Sequence, residues 1–402
     1  MTRLIALSLA GVVVLAACGA PSGSGPVPSP SHGSAAPSPT ESPHAAGSTT
    51  PGASGTPAAT APATASGTGA PTSAPTPVPT VAVPSPSLTA CERDLRCNAI
   101  TDALNKIDPA KMDDHLLALT RVGSRDPRHP GHARAVAYIK EQLSALSYYG
   151  WKLESHRTSY QGIPLENIFF SLDGASAASS GSITPPPPAA TEWVLVSAHY
   201  DSTANRTPGW RPSVDPAPGA DDNATGTAAL LDFARVISQT VRERLRSRIV
   251  LAFFDGEELF YKGSAAYLAS LPRPYPYKAA INLDMVGFNP VADRLDLLWY
   301  TSASAGLRDR VIRANATYGI GVAPLHAQFA ADGNTIMDAA PFGLAGIPSI
   351  ALCQRYGEND ATFPGNSTFH TVNDTPDKIT NKRLWLKAAK LTLAVALELA
   401  LE

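Results

Sequence analysis

Residues 89–402 predict an α/β fold: a mostly parallel (mixed) central sheet with helices on both faces. Three observations carry this. Short apolar runs of strand length recur along the chain, and segments with apolar residues at helical spacing lie between them. Several of the runs also pass directly into clusters of ionisable residues, as strands do where a parallel sheet presents its carboxyl ends to a ligand.

The elements follow in chain order. Arg3 precedes an apolar run from Leu4 to Ala17, shorter than the roughly 20 residues a spanning helix needs. The run ends in Leu15-Ala16-Ala17-Cys18, which resembles the lipobox of bacterial lipoproteins. The expectation is a signal peptide at 1–17 and a lipidated Cys18, hence an exported protein held at the outer face of a cell membrane. Residues 19–88 are almost wholly Ser, Thr, Pro, Gly and Ala, without one aromatic residue. Such a segment buries too little apolar surface to offset its conformational entropy, so 18–88 reads as a disordered tether and His32 and His44 as incidental. Cys91 and Cys97 bracket a short polar loop and suit a local disulfide in an oxidising compartment; Cys353 reads as a buried free thiol. Helical spacing runs over 132–147, 224–238 and 381–401, the last a closing helix. Strands are expected at 167–172, 193–197, 248–254, 279–283 and 348–352, with the prolines at 185–188 in a loop between two of them.

With 32 basic and 34 acidic residues the net charge is −2, and no basic patch speaks for nucleic acid. The chemistry lies at the strand ends. The run 193–198 enters His199-Tyr200-Asp201-Ser202; the run 248–254 enters Asp255-Gly256-Glu257-Glu258; the run 279–283 enters Asp284-Met285. Gly219-Ala220-Asp221-Asp222-Asn223 opens a helix, and Phe369-His370-Thr371 precedes Asn373-Asp374-Thr375. Carboxylates gathered in one crevice would repel one another unless cations neutralised them, and imidazole plus carboxylate suits zinc.

These five motifs, in this order across about residues 120–395, resemble peptidase family M28, which includes the co-catalytic zinc aminopeptidases. The resemblance implies a zinc-dependent exopeptidase fold and two Zn²⁺ per chain. His199 and Asp284 would hold one ion, Glu258 and His370 the other, and Asp222 would bridge them. Asp201 would orient His199 from behind. Glu257 would be the general base, its side chain opposed to that of Glu258 if the two lie in extended chain. A water between two such ions has its pKa drawn from about 15.7 toward neutrality. Glu257 would take its proton and pass it to the leaving amine, with the free α-amine of a peptide substrate at the second ion.

Other residues have plainer expectations. Asp221 would cap the helix or bond locally. Asp338 matches a position where many relatives carry Ser-Asp-His, but its neighbours differ. His115, His129, His132, His156 and His326 read as surface or loop residues. Phe369 stands where some members have a tyrosine that steadies the oxyanion, with Tyr356 as a substitute; loss of one such donor costs about 10²–10³ in rate. The specificity pocket is expected from loops such as 204–218. The leading reading is an aminopeptidase. A carboxypeptidase or dipeptidase of the same family, a one-zinc glutaminyl cyclase on a related scaffold, and a metal-free surface binding protein are the alternatives. The complete ligand set favours the two-metal hydrolase.

Overall fold

The computed structural model describes residues 94–174, 193–329, 337–354 and 360–402. The expected signal segment, Cys18 and its tether, Cys91, the 185–188 loop, Tyr356 and the side chain of His326 lie outside the described residues. Cys97 is disulfide-bonded and Cys353 is a buried free thiol.

Among the described residues the sheet has eight strands, in the order β1-β2-β4-β3-β5-β8-β6-β7. The expected runs are β2 (Ile163–Leu172), β3 (Trp193–His199), β4 (Ile249–Phe254), β5 (Tyr277–Asp284) and β8 (Ser349–Cys353). Four of them, β4, β3, β5 and β8, are mutually parallel and form the centre. Both faces of this centre are covered, which is why its strands read as unbroken apolar runs. The alternation is still visible in packing. Val194, Val196 and Ala198 join one apolar cluster and Leu195 the other; Ile249, Leu251 and Phe253 oppose Val250, Ala252 and Phe254 in the same way.

Three strands were not foreseen. β1 (Lys152–Tyr160) forms an antiparallel hairpin with β2 through Gln161 and Gly162, whose φ values of 50° and 79° make the two-residue turn that strand twist favours. Its residues are all exposed or half-buried, so no apolar run marks it. β6 (Leu295–Trp299) pairs antiparallel with β8 and parallel with β7 (Leu325–Phe329). The sheet is therefore parallel at its centre and mixed toward its edges.

The expected helices are α3 (Pro130–Ser144), α4 (Thr225–Thr240) and α8 (Lys382–Ala400). Helices α1 (Leu95–Asn105), α2 (Pro109–Arg121) and α6 (Ala305–Thr317) add to the layer of α4 and α8. On the other face, the shorter α5 (Lys262–Ser270) and α7 (Ala339–Leu344) contact each other and the sheet. The chain leaves β3 for β4 on one side and then crosses to β5 on the other. A crevice opens at such a reversal, outside the carboxyl ends of the strands, and this is where the motif residues converge.

Candidate metal centre

His199 is the last residue of β3 and Asp284 the last of β5. Asp222 lies in the wide turn Ala220–Ala224 before α4, Glu257 and Glu258 in the turn after β4, and His370 in the loop before α8. The fold brings all of them together. His199 Nε2 is 3.1 Å from Asp222 Oδ1 and 3.4 Å from Asp284 Oδ1; His370 Nε2 is 3.0 Å from Asp222 Oδ2 and 2.8 Å from Glu258 Oε2. Asp222 thus offers one oxygen to each imidazole.

The donors fit a metal. His199 Nδ1 and Nε2, Asp222 Oδ2, Glu258 Oε1 and Asp284 Oδ1 are buried and make no hydrogen bond among the described residues. Buried polar atoms without a partner are costly, so this convergence has no rationale as packing. Ligands about 2.0–2.1 Å from a tetrahedral ion stand about 3.3–3.4 Å apart, close to the His199 separations. His199, Asp222 and Glu258 alone already form a group able to hold an ion.

Electrostatics agree. Burial, and after it Asp222, push Glu258 up to about 7. Burial also raises Asp284, with Asp222 adding to it, and raises Glu257 strongly, with Asp284, Glu258 and Asp338 adding. Burial opposes charge on the imidazoles, yet Glu258 and Asp222 raise His370 to about 11, and Asp284 leads the groups that raise His199. Without cations the cluster holds protons in their place; metal binding would release them.

Several expectations need correction. Glu257 and Glu258 lie in a turn, not in extended chain, so strand alternation does not separate their roles. Asp201 also holds that turn: Glu257 N donates to its Oδ1 and Glu258 N to its Oδ2, both at 3.2 Å. It lies behind His199, its Oδ1 3.4 Å from Nδ1, the ring nitrogen turned away from Asp222 and Asp284. Asp221 caps nothing; its oxygens accept from Gly287 N at 2.7 Å and Asn366 Nδ2 at 3.1 Å. His115, His132 and His156 are half-buried within α2, α3 and β1 and bonded, while His129 lies in the loop before α3, as expected. His132 Nε2 is 3.0 Å from Asp255 Oδ2 and 3.2 Å from the Tyr200 hydroxyl, His115 bonds Tyr138, His156 bonds Asn167, and His129 caps α3. Asp338 is fully buried, and burial with Asp201 and Asp284 raises it to about 7. Phe369 stacks on the His370 ring, centroids 3.6 Å apart.

Sequence reasoning missed the wall of the site and its supports. A cavity of about 240 Å³ is lined by the site carboxylates and by Phe260, Tyr261, Met285, Met337 and Phe369; loop 204–218 contributes Asn205 alone. Gly219 has φ 51°, and a Cβ there would lie 2.6 Å from that of Ser202 and 2.9 Å from Arg125 Nη2, so only glycine fits the approach to the Asp222 turn.

A profile of peptidase family M28 matches residues 181–396, over half of the chain. The chain is 27% identical over 275 residues to the uncharacterised protein YfbL of Escherichia coli, covering 62% of this chain and 76% of that one. It is 29% identical over 214 residues to aminopeptidase YwaD of Bacillus subtilis, covering 50% of this chain and 40% of that one. Among solved structures, LapA aminopeptidase of Legionella pneumophila has a TM-score of 0.59 at 19% identity, over 76% of this chain and 75% of that one. A glutaminyl cyclase of Porphyromonas gingivalis has a TM-score of 0.55 at 24% identity, over 73% and 99%. At these identities the structural likeness is one of fold.

Proposed function

The chain belongs to peptidase family M28, and from that premise we propose that it is a two-zinc aminopeptidase acting on peptides whose N-terminal side chain is apolar. The observation that carries this reading is the pairing of donors around Asp222, with His199 and Asp284 on one side and His370 and Glu258 on the other. Two zinc ions held there would polarise the scissile carbonyl and acidify a water. Glu257 lines the same cavity, half-buried, where desolvation and then the carboxylates around it raise its proton affinity, the direction a general base needs. It takes the proton from the attacking water and returns it to the leaving nitrogen. Asp201 keeps Glu257 and Glu258 in register by holding both amides. Phe260, Met285, Met337 and Phe369 offer an apolar wall to the substrate's side chain, which supports the side-chain preference. Lipid anchoring at Cys18 would place this activity at the outer face of a membrane; Cys18→Ala should release the protein from the membrane fraction.

The second reading is a one-zinc cyclase, favoured by the fold likeness to a glutaminyl cyclase. One experiment separates the two. The protein is assayed on aminoacyl-p-nitroanilides, N-blocked peptides and an N-terminal Gln peptide while bound zinc is counted. Two zincs with release from free N-termini alone supports the aminopeptidase; one zinc with pyroglutamate formation supports the cyclase.

A further inference from the structure

Behind the ligands, two buried side chains of opposite charge grip the segment that carries Asp222. Arg125 lies between α2 and α3 and is fully buried. Its Nε donates to Tyr200 O at 2.6 Å, Nη1 to Pro218 O at 2.5 Å and Nη2 to Gly219 O at 2.8 Å. Its own amide donates to Ser202 Oγ, which in turn donates to Ala217 O. One guanidinium therefore ties the residue after His199 to the approach of Asp222. From the other side, Asp374 Oδ1 accepts from Asp221 N and Oδ2 from Asp222 N, both at 3.0 Å, and its carbonyl accepts from Ala220 N at 2.9 Å. Asp374 is four residues beyond His370 in the same loop.

We propose that Arg125 and Asp374, neither of them a ligand, are positioning residues that fix the Asp222 carboxylate relative to His199 and to His370 respectively, so that each sets one of the two metal sites. This rests on the two-metal reading. The placement follows from chemistry. A guanidinium forks to several carbonyls at fixed angles, where an ammonium would reach one or two. A carboxylate accepts two amides at once, where a carboxamide offers one oxygen. Neither charge has a local surface role, since both are buried. Burial lowers Arg125 to about 10, with Asp374, Asp201 and Asp222 opposing it, so the cation is held by the charge of the site it supports.

The test uses the full chain with zinc, comparing the parent with Arg125→Lys and Asp374→Asn. Stepwise zinc affinity is read by competition with a chelating dye, alongside kcat, KM and the melting temperature of the chelated protein. Each variant is expected to keep one zinc at parental affinity and to bind the second about 10–100-fold more weakly, as loss of a partner behind a ligand does. The rate constant kcat should fall by a similar factor with KM moving little, and the chelated melting temperature should stay within about 4 °C of the parent. If the parent itself binds fewer than two zincs, the two-metal reading fails. If the parent binds two and both variants match it, the positioning roles are wrong and the two-metal reading stands. Chelated variants that melt far lower, or do not fold, also overturn the proposal, because the two residues would then hold the fold rather than the metals.

Discussion

Glu257 and Glu258 are adjacent, half-buried in the same cluster and held by the same Asp201, yet they are assigned different work. Replacing each by Gln separates the roles with almost no change in shape. Glu258 Oε2 lies 2.8 Å from His370 Nε2, so Glu258→Gln removes a ligand charge and should cost one zinc. Glu257→Gln removes no donor from either imidazole pair and should leave two zincs bound. What it loses is the proton acceptor, worth about 10²–10⁴ in rate, or about 3–5 kcal/mol. A remaining carboxylate could reduce this loss. Asp222, Asp284 and Glu258 would be committed to cations, which leaves Asp338, buried and raised to about 7. The assay is kcat on an aminoacyl-p-nitroanilide with zinc counted in the same preparation. Near-normal turnover of Glu257→Gln together with an inactive Asp338→Asn would refute the assignment and move the base to Asp338. Loss of zinc from Glu257→Gln would refute it differently, by making Glu257 a ligand.

Other outcomes follow from the same geometry. Asp201→Asn leaves one of two amides facing an NH₂ group, at about 1.5–3 kcal/mol for a bond to a charged acceptor, so kcat/KM should fall about 10–100-fold; unchanged kinetics would deny Asp201 its hold on the turn. Phe260 is 72% exposed with φ 66°, so Phe260→Gly should be at least as stable as Phe260→Ala in urea unfolding, while both raise KM for apolar substrates. A clearly more stable Ala variant would mean that the left-handed backbone is not strained there. The metal-free protein should lose stability as pH rises. Glu258, Asp338 and Asp374, each raised to about 7, hold protons that an unfolded chain releases near pH 4, so their contribution declines between about pH 4 and 7. His370, raised to about 11, contributes fully below about 6.5 and loses its contribution as pH rises through 11. Asp222 is held below its ordinary value, so its opposite effect is confined to acid below about pH 4. Chelated protein should therefore melt higher at pH 6 than at pH 8.5 by scanning fluorimetry; a rise with pH would contradict the charge assignment.

What the sequence showed and what it hid divide along physical lines. A strand buried on both faces must be apolar throughout, so β3, β4, β5 and β8 stand out as runs, and the ionisable residues that end them are conspicuous by contrast. β1 is half in solvent and carries no run; its one signal was the Gln161-Gly162 turn. The residues proposed as ligands stand out in the sequence because imidazole and carboxylate placed after apolar strands have few other uses. Arg125 and Asp374 were not, because a buried charge is recognised by what surrounds it, and their partners are backbone groups, some 75 to 153 residues away. His132 was misread for the same reason: its partners Asp255 and Tyr200 arrive from two different strand ends.

The cavity wall was hidden by backbone conformation. Among the described residues six that are not glycine have left-handed φ, and five of them, Phe260, Tyr261, Met285, Met337 and His370, line the cavity. Each such residue costs about 1–2 kcal/mol, and apart from His370 none is of a type enriched in the conformation, so local sequence does not announce the wall. The geometry explains what the strain achieves. In extended chain Asp284 and Met285 would point to opposite faces. With Met285 at φ 50° both line the one cavity, the carboxylate beside His199 and the thioether in the wall. The turn after Glu258 reverses in the same manner at Phe260 and Tyr261, and Met337 does so just before Asp338. Proposed ligands and wall are thus supplied by neighbouring residues on the same short turns. A substitution in the wall that relaxes one of these φ angles should shift the adjacent acid as well, coupling substrate preference to metal binding.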